Sequence, residues 1–157
     1  MHIRFLSIGK TRESWLQTGI NQYDERIRRY CNFERIELPD IKSRTHLTTE
    51  QIKEHEGKMV LKWIEPNDVV VLLDERGLET SSEAFAAKLE QKMVRGVSSL
   101  LYISGGAYGF SPAVYARANA LQALSQLTFS HQMVRLIFLE QLYRCFTIIN
   151  REPYHHR

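Results

Sequence analysis

The sequence predicts an α/β fold, a mainly parallel β-sheet with helices on both faces. Strand-like and helix-like stretches alternate along the chain with short connections, the pattern of parallel strands joined by crossover helices. Two runs, VVVLLD (69–74) and SSLLYIS (98–104), are apolar without alternation, as strands covered on both faces are. No repeat, low-complexity tract or linker divides the 157 residues, so a single domain spanning 1–157 is expected.

Each element has a local cause. HIRFLSI (2–8) reads as the first strand. A helix over roughly 12–31 follows, because Leu16, Ile20, Tyr23, Ile27 and Tyr30 recur at helical spacing on one face. Arg26, Arg28 and Arg29 gather near its end, where cations complement the helix dipole. FERIEL (33–38) alternates like a half-buried strand, and Pro39 stops it. After a polar loop at 40–48, Thr48 and Gln51 form a capping box that opens a helix to about 64. Glu65-Pro66-Asn67-Asp68 is a turn into the first apolar run. Thr80 and Glu83 are spaced as a second capping box, with Phe85, Leu89 and Met93 on its helix and Gly96 at its end. Ser111-Pro112 starts another helix with proline at the first helical position. A short strand is expected around 120–124 and a final helix over about 131–149.

Composition narrows the function classes. At 43% apolar and 25% charged residues, the chain can bury a core and is not a disordered tail. No apolar run approaches the ~20 residues that span a bilayer. The apolar stretch of MHIRFLSIGK is too short for a signal peptide. Cys31 and Cys145 lie far apart without a CxxC partner, which fits a reduced, cytoplasmic chain without structural zinc. The net charge of +3 is uneven: residues 32–94 carry nine basic and thirteen acidic groups, residues 95–157 six and two. Every basic residue in that last third is an arginine, whose planar fork suits phosphate. A polyanion such as RNA therefore competes with the plainer reading of a solvated basic face.

Three stretches carry chemistry. Gly105-Gly106-Ala107-Tyr108-Gly109 follows a buried strand and precedes a capped helix, so a ligand can touch backbone and face helix N–H groups. Its spacing is neither the dinucleotide fingerprint nor a Walker A loop, and a tight turn explains it equally well. Leu73-Asp74-Glu75-Arg76-Gly77 ends a parallel-type strand, the edge at which open α/β sheets bind ligands. If those two strands are neighbours, both loops share one crevice. In the last helix, His131, Arg135, Phe138, Leu142, Phe146 and Ile149 fall on one side, and Glu140, Arg144 and Thr147 form an ordinary polar side. An arginine buried without partners is expensive, so the His131–Arg135 pair is expected to face a cleft or interface. No Ser–His–acid triad, HExxH motif or metal-ligand spacing is present.

Several stretches together carry a resemblance: IRFLSIGK, Glu56-Gly57, LLDERG, ISGGAYGFS, LSQLTFSHQMVRLIFLEQLYR and the ending PYHHR. Their order and spacing, over essentially the whole chain, resemble the bacterial ribosomal RNA large-subunit methyltransferase H family of the SPOUT superfamily. The resemblance implies an α/β-knot fold, in which the C-terminal segment threads a loop into a trefoil. It also implies a homodimer, S-adenosylmethionine held in the knot, and methylation of N3 of a pseudouridine in large-subunit rRNA on the assembled ribosome. Carried over by position, the cofactor contacts fall on Leu73, Gly105, Leu124, Ser125, Gln126, Leu127, Thr128 and Phe129. The family usually has proline before the helix histidine. Here Ser130 stands there, giving up stiffness but able to cap the helix.

That reaction assigns roles on the acceptor side. Arg135 is the expected stabiliser of charge developing on the base, and His155 or His131 the expected proton acceptor. Tyr154 is expected to stack on the target base or hydrogen-bond it. Arg26, Arg28, Arg29, His156 and Arg157 are candidate RNA contacts. Two rivals remain: a non-catalytic ribosome-binding protein of the same fold, and a small nucleotide- or flavin-binding enzyme using the glycine loop.

Overall fold

Five strands form one sheet: β1 (His2–Ile8), β2 (Asn32–Leu38), β3 (Asp68–Glu79), β4 (Ser99–Ser104) and β5 (Ala120–Ala123). In this computed structural model, which describes residues 1–42 and 44–155, the spatial order is β2-β1-β4-β3-β5. Every neighbouring pair is parallel. The two apolar runs are neighbours, with Leu73 opposite Ser104, so their following loops open at the same edge.

The helices are α1 (Ser14–Ile27), α2 (Thr49–Leu61), α3 (Ser82–Val94), α4 (Pro112–Arg117) and α5 (Met133–Ile149). Side chains of α1, α3 and α5 bury one face of the sheet, around Phe5, Tyr102 and Phe138. Phe138 lies 4.6 Å from Phe5 and 4.8 Å from Tyr102 between ring centroids. Val60 of α2 and Val114 of α4 cover the other face, against Leu6, Leu72 and Ile103. Because side chains alternate along a strand, β1 serves both layers: Ile3 and Phe5 enter one, Leu6 and Ile8 the other.

The Thr48–Gln51 capping box forms as expected, and Ser111 caps α4 with proline in its first turn. Besides α2, which ends at Leu61 where about 64 was expected, three boundaries differ from the sequence reading. The helix of 12–31 is shorter, ending at Ile27. The cap of α3 is Ser81, whose hydroxyl accepts from the Ala84 N–H at 3.1 Å, not Thr80. Ser81 is the last extended residue before the helix. Third, β3 continues past residue 74. Leu73 and Leu78 both pair with Gln122, so Asp74–Gly77 leave the ladder as a bulge. Gly77 makes this possible, since a Cβ there would lie 2.5 Å from the Gln122 backbone. Bulges re-aim side chains, and this one turns Asp74, Glu75 and Arg76 towards the sheet edge.

Both ends of α5 are set locally. The Ser130 hydroxyl accepts from the Met133 N–H at 3.1 Å and its carbonyl from the Val134 N–H at 3.0 Å, so serine caps the helix approach. At the far end Arg151 takes a positive φ of 58°, and the Glu152 N–H donates to the Thr147 carbonyl at 2.8 Å. This is a Schellman-type reversal with arginine where glycine is usual. It sends the chain back over α5 and α1. His156 and Arg157 lie outside the described residues.

Candidate functional site

At the edge where the strands end, an open cavity of about 940 Å³ lies between the loops after β3, β4 and β5. That is the size of a small-molecule site. Seven of the eight expected cofactor contacts line it: Leu73, Gly105, Leu124, Ser125, Leu127, Thr128 and Phe129. The Gln126 side chain instead donates to Glu79 at 3.3 Å, outside that lining. Ser104 joins the wall. It is 2% exposed, and its hydroxyl has no hydrogen-bond partner among the described residues. A buried polar atom left unpaired is a place for a ligand or ordered water.

The β3 bulge supplies an ionised wall. Asp74 accepts from the Tyr115 hydroxyl, from the Arg76 N–H at 2.9 Å and from Arg76 Nε at 3.2 Å. Burial pushes its carboxyl up, but these donors outweigh burial and hold it below the usual carboxylate range. The Arg76 guanidinium stacks 4.6 Å from the Tyr115 ring centre, fixing the group. Asp74 and Arg76 belong to a stretch singled out in the sequence. Tyr115 does not, because a tyrosine on a short helix has no pattern of its own.

His131 lines the cavity, as the sequence reading expects. Burial and the nearby Arg135 charge lower its pKa below the ordinary histidine value, so its ring is neutral at neutral pH. Arg135 itself departs from expectation. It is 1% exposed and faces core, not cleft. Its Nη2 donates to the Ile8 carbonyl at 2.6 Å, and Nη1 to the Gly9 carbonyl at 2.8 Å and the Thr11 hydroxyl at 3.0 Å. Nε donates to the His131 carbonyl at 3.1 Å, and Glu37 lies 3.6 Å away. Its guanidinium is occupied by backbone and cannot serve as the direct stabiliser of an acceptor base. It ties the end of β1 to the start of α5 and so fixes the backbone of His131.

The tail docks elsewhere in the same chain. Tyr154 meets the Tyr23 hydroxyl at 3.2 Å, donates to Glu140 at 3.2 Å and packs edge-on against Tyr143. His155 bridges Arg144 at 3.3 Å and Glu83 at 3.2 Å. The polar side of α5 is therefore a dock for the tail. From Val134 at the cavity to Arg144 is ten residues, about 15 Å along a helix. Arg26 lies 5.4 Å from the ring centres of both Tyr23 and Tyr143, beside the tail. Arg28 and Arg29 are exposed at the same end of α1. These arginines sit where the strands begin, opposite the cavity.

No helix among the described residues is long and apolar enough to cross a membrane. A family model described as "Predicted SPOUT methyltransferase" matches residues 1–155. Among curated proteins, the chain is 48% identical over 156 residues to "Ribosomal RNA large subunit methyltransferase H" of Parabacteroides distasonis, covering 99% of each. The protein of that name from Flavobacterium psychrophilum is 48% identical over 157 residues, covering all of both chains. That from Bacteroides fragilis is 46% identical over 156 residues, 99% of each.

Proposed function

The chain belongs to the SPOUT methyltransferase family, and from that premise we propose that it transfers a methyl group from S-adenosylmethionine to N3 of a pseudouridine in large-subunit ribosomal RNA. The assembled ribosome is the substrate, and the enzyme works in the cytoplasm as a homodimer with the knotted C-terminal segment of its family. The observation that carries the reading is the cavity at the ends of β3 and β4, lined by seven of the eight residues to which cofactor contact carries over. The orphaned Ser104 hydroxyl fits a bound polar group there. The ionised Asp74 on the wall complements a cationic sulfonium.

Bound in this cavity, the sulfonium supplies an activated methyl. The remaining work falls to the chain. N3 of the base is a poor nucleophile while protonated, so the site must hold it in line and take its proton. His131 is suited to the second task, since it lines the cavity and is held neutral. Tyr154 and His155 dock at Glu140 and Arg144 of their own chain, six and ten residues, or about 9 and 15 Å, along α5 from Val134. We place them at the acceptor base of a second copy, so that each site combines one chain's cavity with the other's tail. Arg26, beside the tail, and the neighbouring Arg28 and Arg29 would then approach the RNA together with it, as would His156 and Arg157.

The test is to incubate the protein with labelled S-adenosylmethionine and ribosomes lacking the modification. Label in one rRNA nucleotide is expected. Ribosome binding without transfer would favour the non-catalytic rival. Affinity for neither would leave a nucleotide- or flavin-binding enzyme.

A further inference from the structure

Against the glycine loop, α2 presents a carboxylate that is not part of the cavity lining and that the proposed reaction does not use. Glu56 is 1% exposed. One oxygen, Oε1, accepts from Arg44 Nη2 at 3.2 Å. The other, Oε2, is buried without a hydrogen-bond partner among the described residues. It lies against Gly106 so closely that a Cβ there would be 2.5 Å from Oε2 and 2.9 Å from Oε1. Gly106 in turn closes the loop, bridging Gly109, whose N–H donates to the Gly106 carbonyl at 3.2 Å. Burial pushes the Glu56 carboxyl up, with Arg44 opposing. An ion held this way is costly unless its place is needed.

The contacts of Arg44 extend the arrangement. Arg44 also donates to Asp40 at 3.0 Å, and Asp40 meets Arg12 at 3.4 Å. The Arg12 N–H donates to Gln132 Oε1 at 3.1 Å, next to His131. A chain of polar contacts therefore runs from Glu56, packed against the glycine loop, to the first turn before α5. We infer that Glu56 is a positioning residue: its carboxylate braces Gly106 and, through Arg44 and Asp40, holds the glycine loop in register with the segment bearing His131. This rests on the reading that the cavity binds S-adenosylmethionine. It assigns Glu56 no contact with cofactor or base.

The test is calorimetric titration of S-adenosylmethionine into the full chain and three variants, with the ligand-free thermal midpoint measured in parallel. Glu56→Gln keeps the shape but removes the charge held by Arg44. Its dissociation constant is expected to rise at least fivefold while the midpoint barely moves. Gly106→Ala is expected to weaken binding at least tenfold, because the new methyl meets the carboxylate. Combining it with Glu56→Asp, which withdraws the carboxylate by one methylene, is expected to recover most of that loss. Unchanged affinity in Glu56→Gln, or losses in the double variant that simply add, would overturn the inference. If Gly106→Ala does not fold, Glu56→Gln decides alone. Failure of the unmodified protein to bind S-adenosylmethionine would overturn the cofactor reading and this inference with it. Normal binding by the parent with indifferent variants would overturn this inference only.

Discussion

Replacing Arg135 with alanine removes a buried cation and four hydrogen bonds, two of them to the Ile8 and Gly9 carbonyls. Breaking one side of such a buried charged network costs about 3–5 kcal/mol, because the acceptors left behind lose their partners without regaining water. In a domain of this size each kcal/mol lowers the thermal midpoint by roughly 2–4 °C. Arg135→Ala should therefore melt roughly 10 °C below the parent by circular dichroism. Arg135→Lys should fall between them, since an ammonium cannot reproduce the guanidinium fork. Methyl transfer should then be measured at a temperature where both proteins are folded. Turnover should be reduced through displacement of His131, whose carbonyl Arg135 holds. A variant that melts within about 2 °C of the parent yet loses all turnover would refute the core placement and return Arg135 to the reaction.

Gly105→Val should abolish S-adenosylmethionine binding in calorimetry, because even a Cβ at this position lies 3.3 Å from Phe110 and 3.4 Å from Gly109; unchanged affinity would move the cofactor elsewhere. Deleting residues 154–157 should abolish transfer and leave cofactor affinity nearly intact, whereas full turnover would remove the tail from the site. Mixing that truncated chain with the Gly105→Val chain should recover turnover in mixed dimers, one supplying the cavity and the other the tail; a dead mixture would place the tail's work in its own chain. If His131 takes the proton, activity should be lost as pH falls through a pKa below the ordinary histidine value, since burial and Arg135 depress it; a profile governed by a group above that value would point to another base.

The sheet and its covering helices were legible because their causes are local. Continuous apolar runs marked β3 and β4, and caps marked α2 and α4. The bulge after Leu73 was not legible, because it depends on Gly77 meeting the backbone of Gln122, a contact between distant segments. Arg135 shows the same limit. Periodicity placed it correctly on the apolar side of α5, but its partners are carbonyls at the end of β1, which no helical wheel contains. Most of the cofactor side came from resemblance: the segment at 124–129 has no chemical signature of its own, being a half-exposed loop. Glu56 entered the sequence reading only through the Glu56-Gly57 pair of the family resemblance, with no role attached. Only its burial against Gly106 distinguishes it from the exposed Glu54.

The position of the transferred methyl group tests the proposed reaction most directly. After reaction with labelled S-adenosylmethionine and ribosomes lacking the modification, the large-subunit rRNA can be digested to nucleosides and the label compared chromatographically with N3-methylpseudouridine. The label is expected to co-elute with that standard. Label on an unmodified uridine, on a ribose hydroxyl or on no nucleoside at all would contradict it.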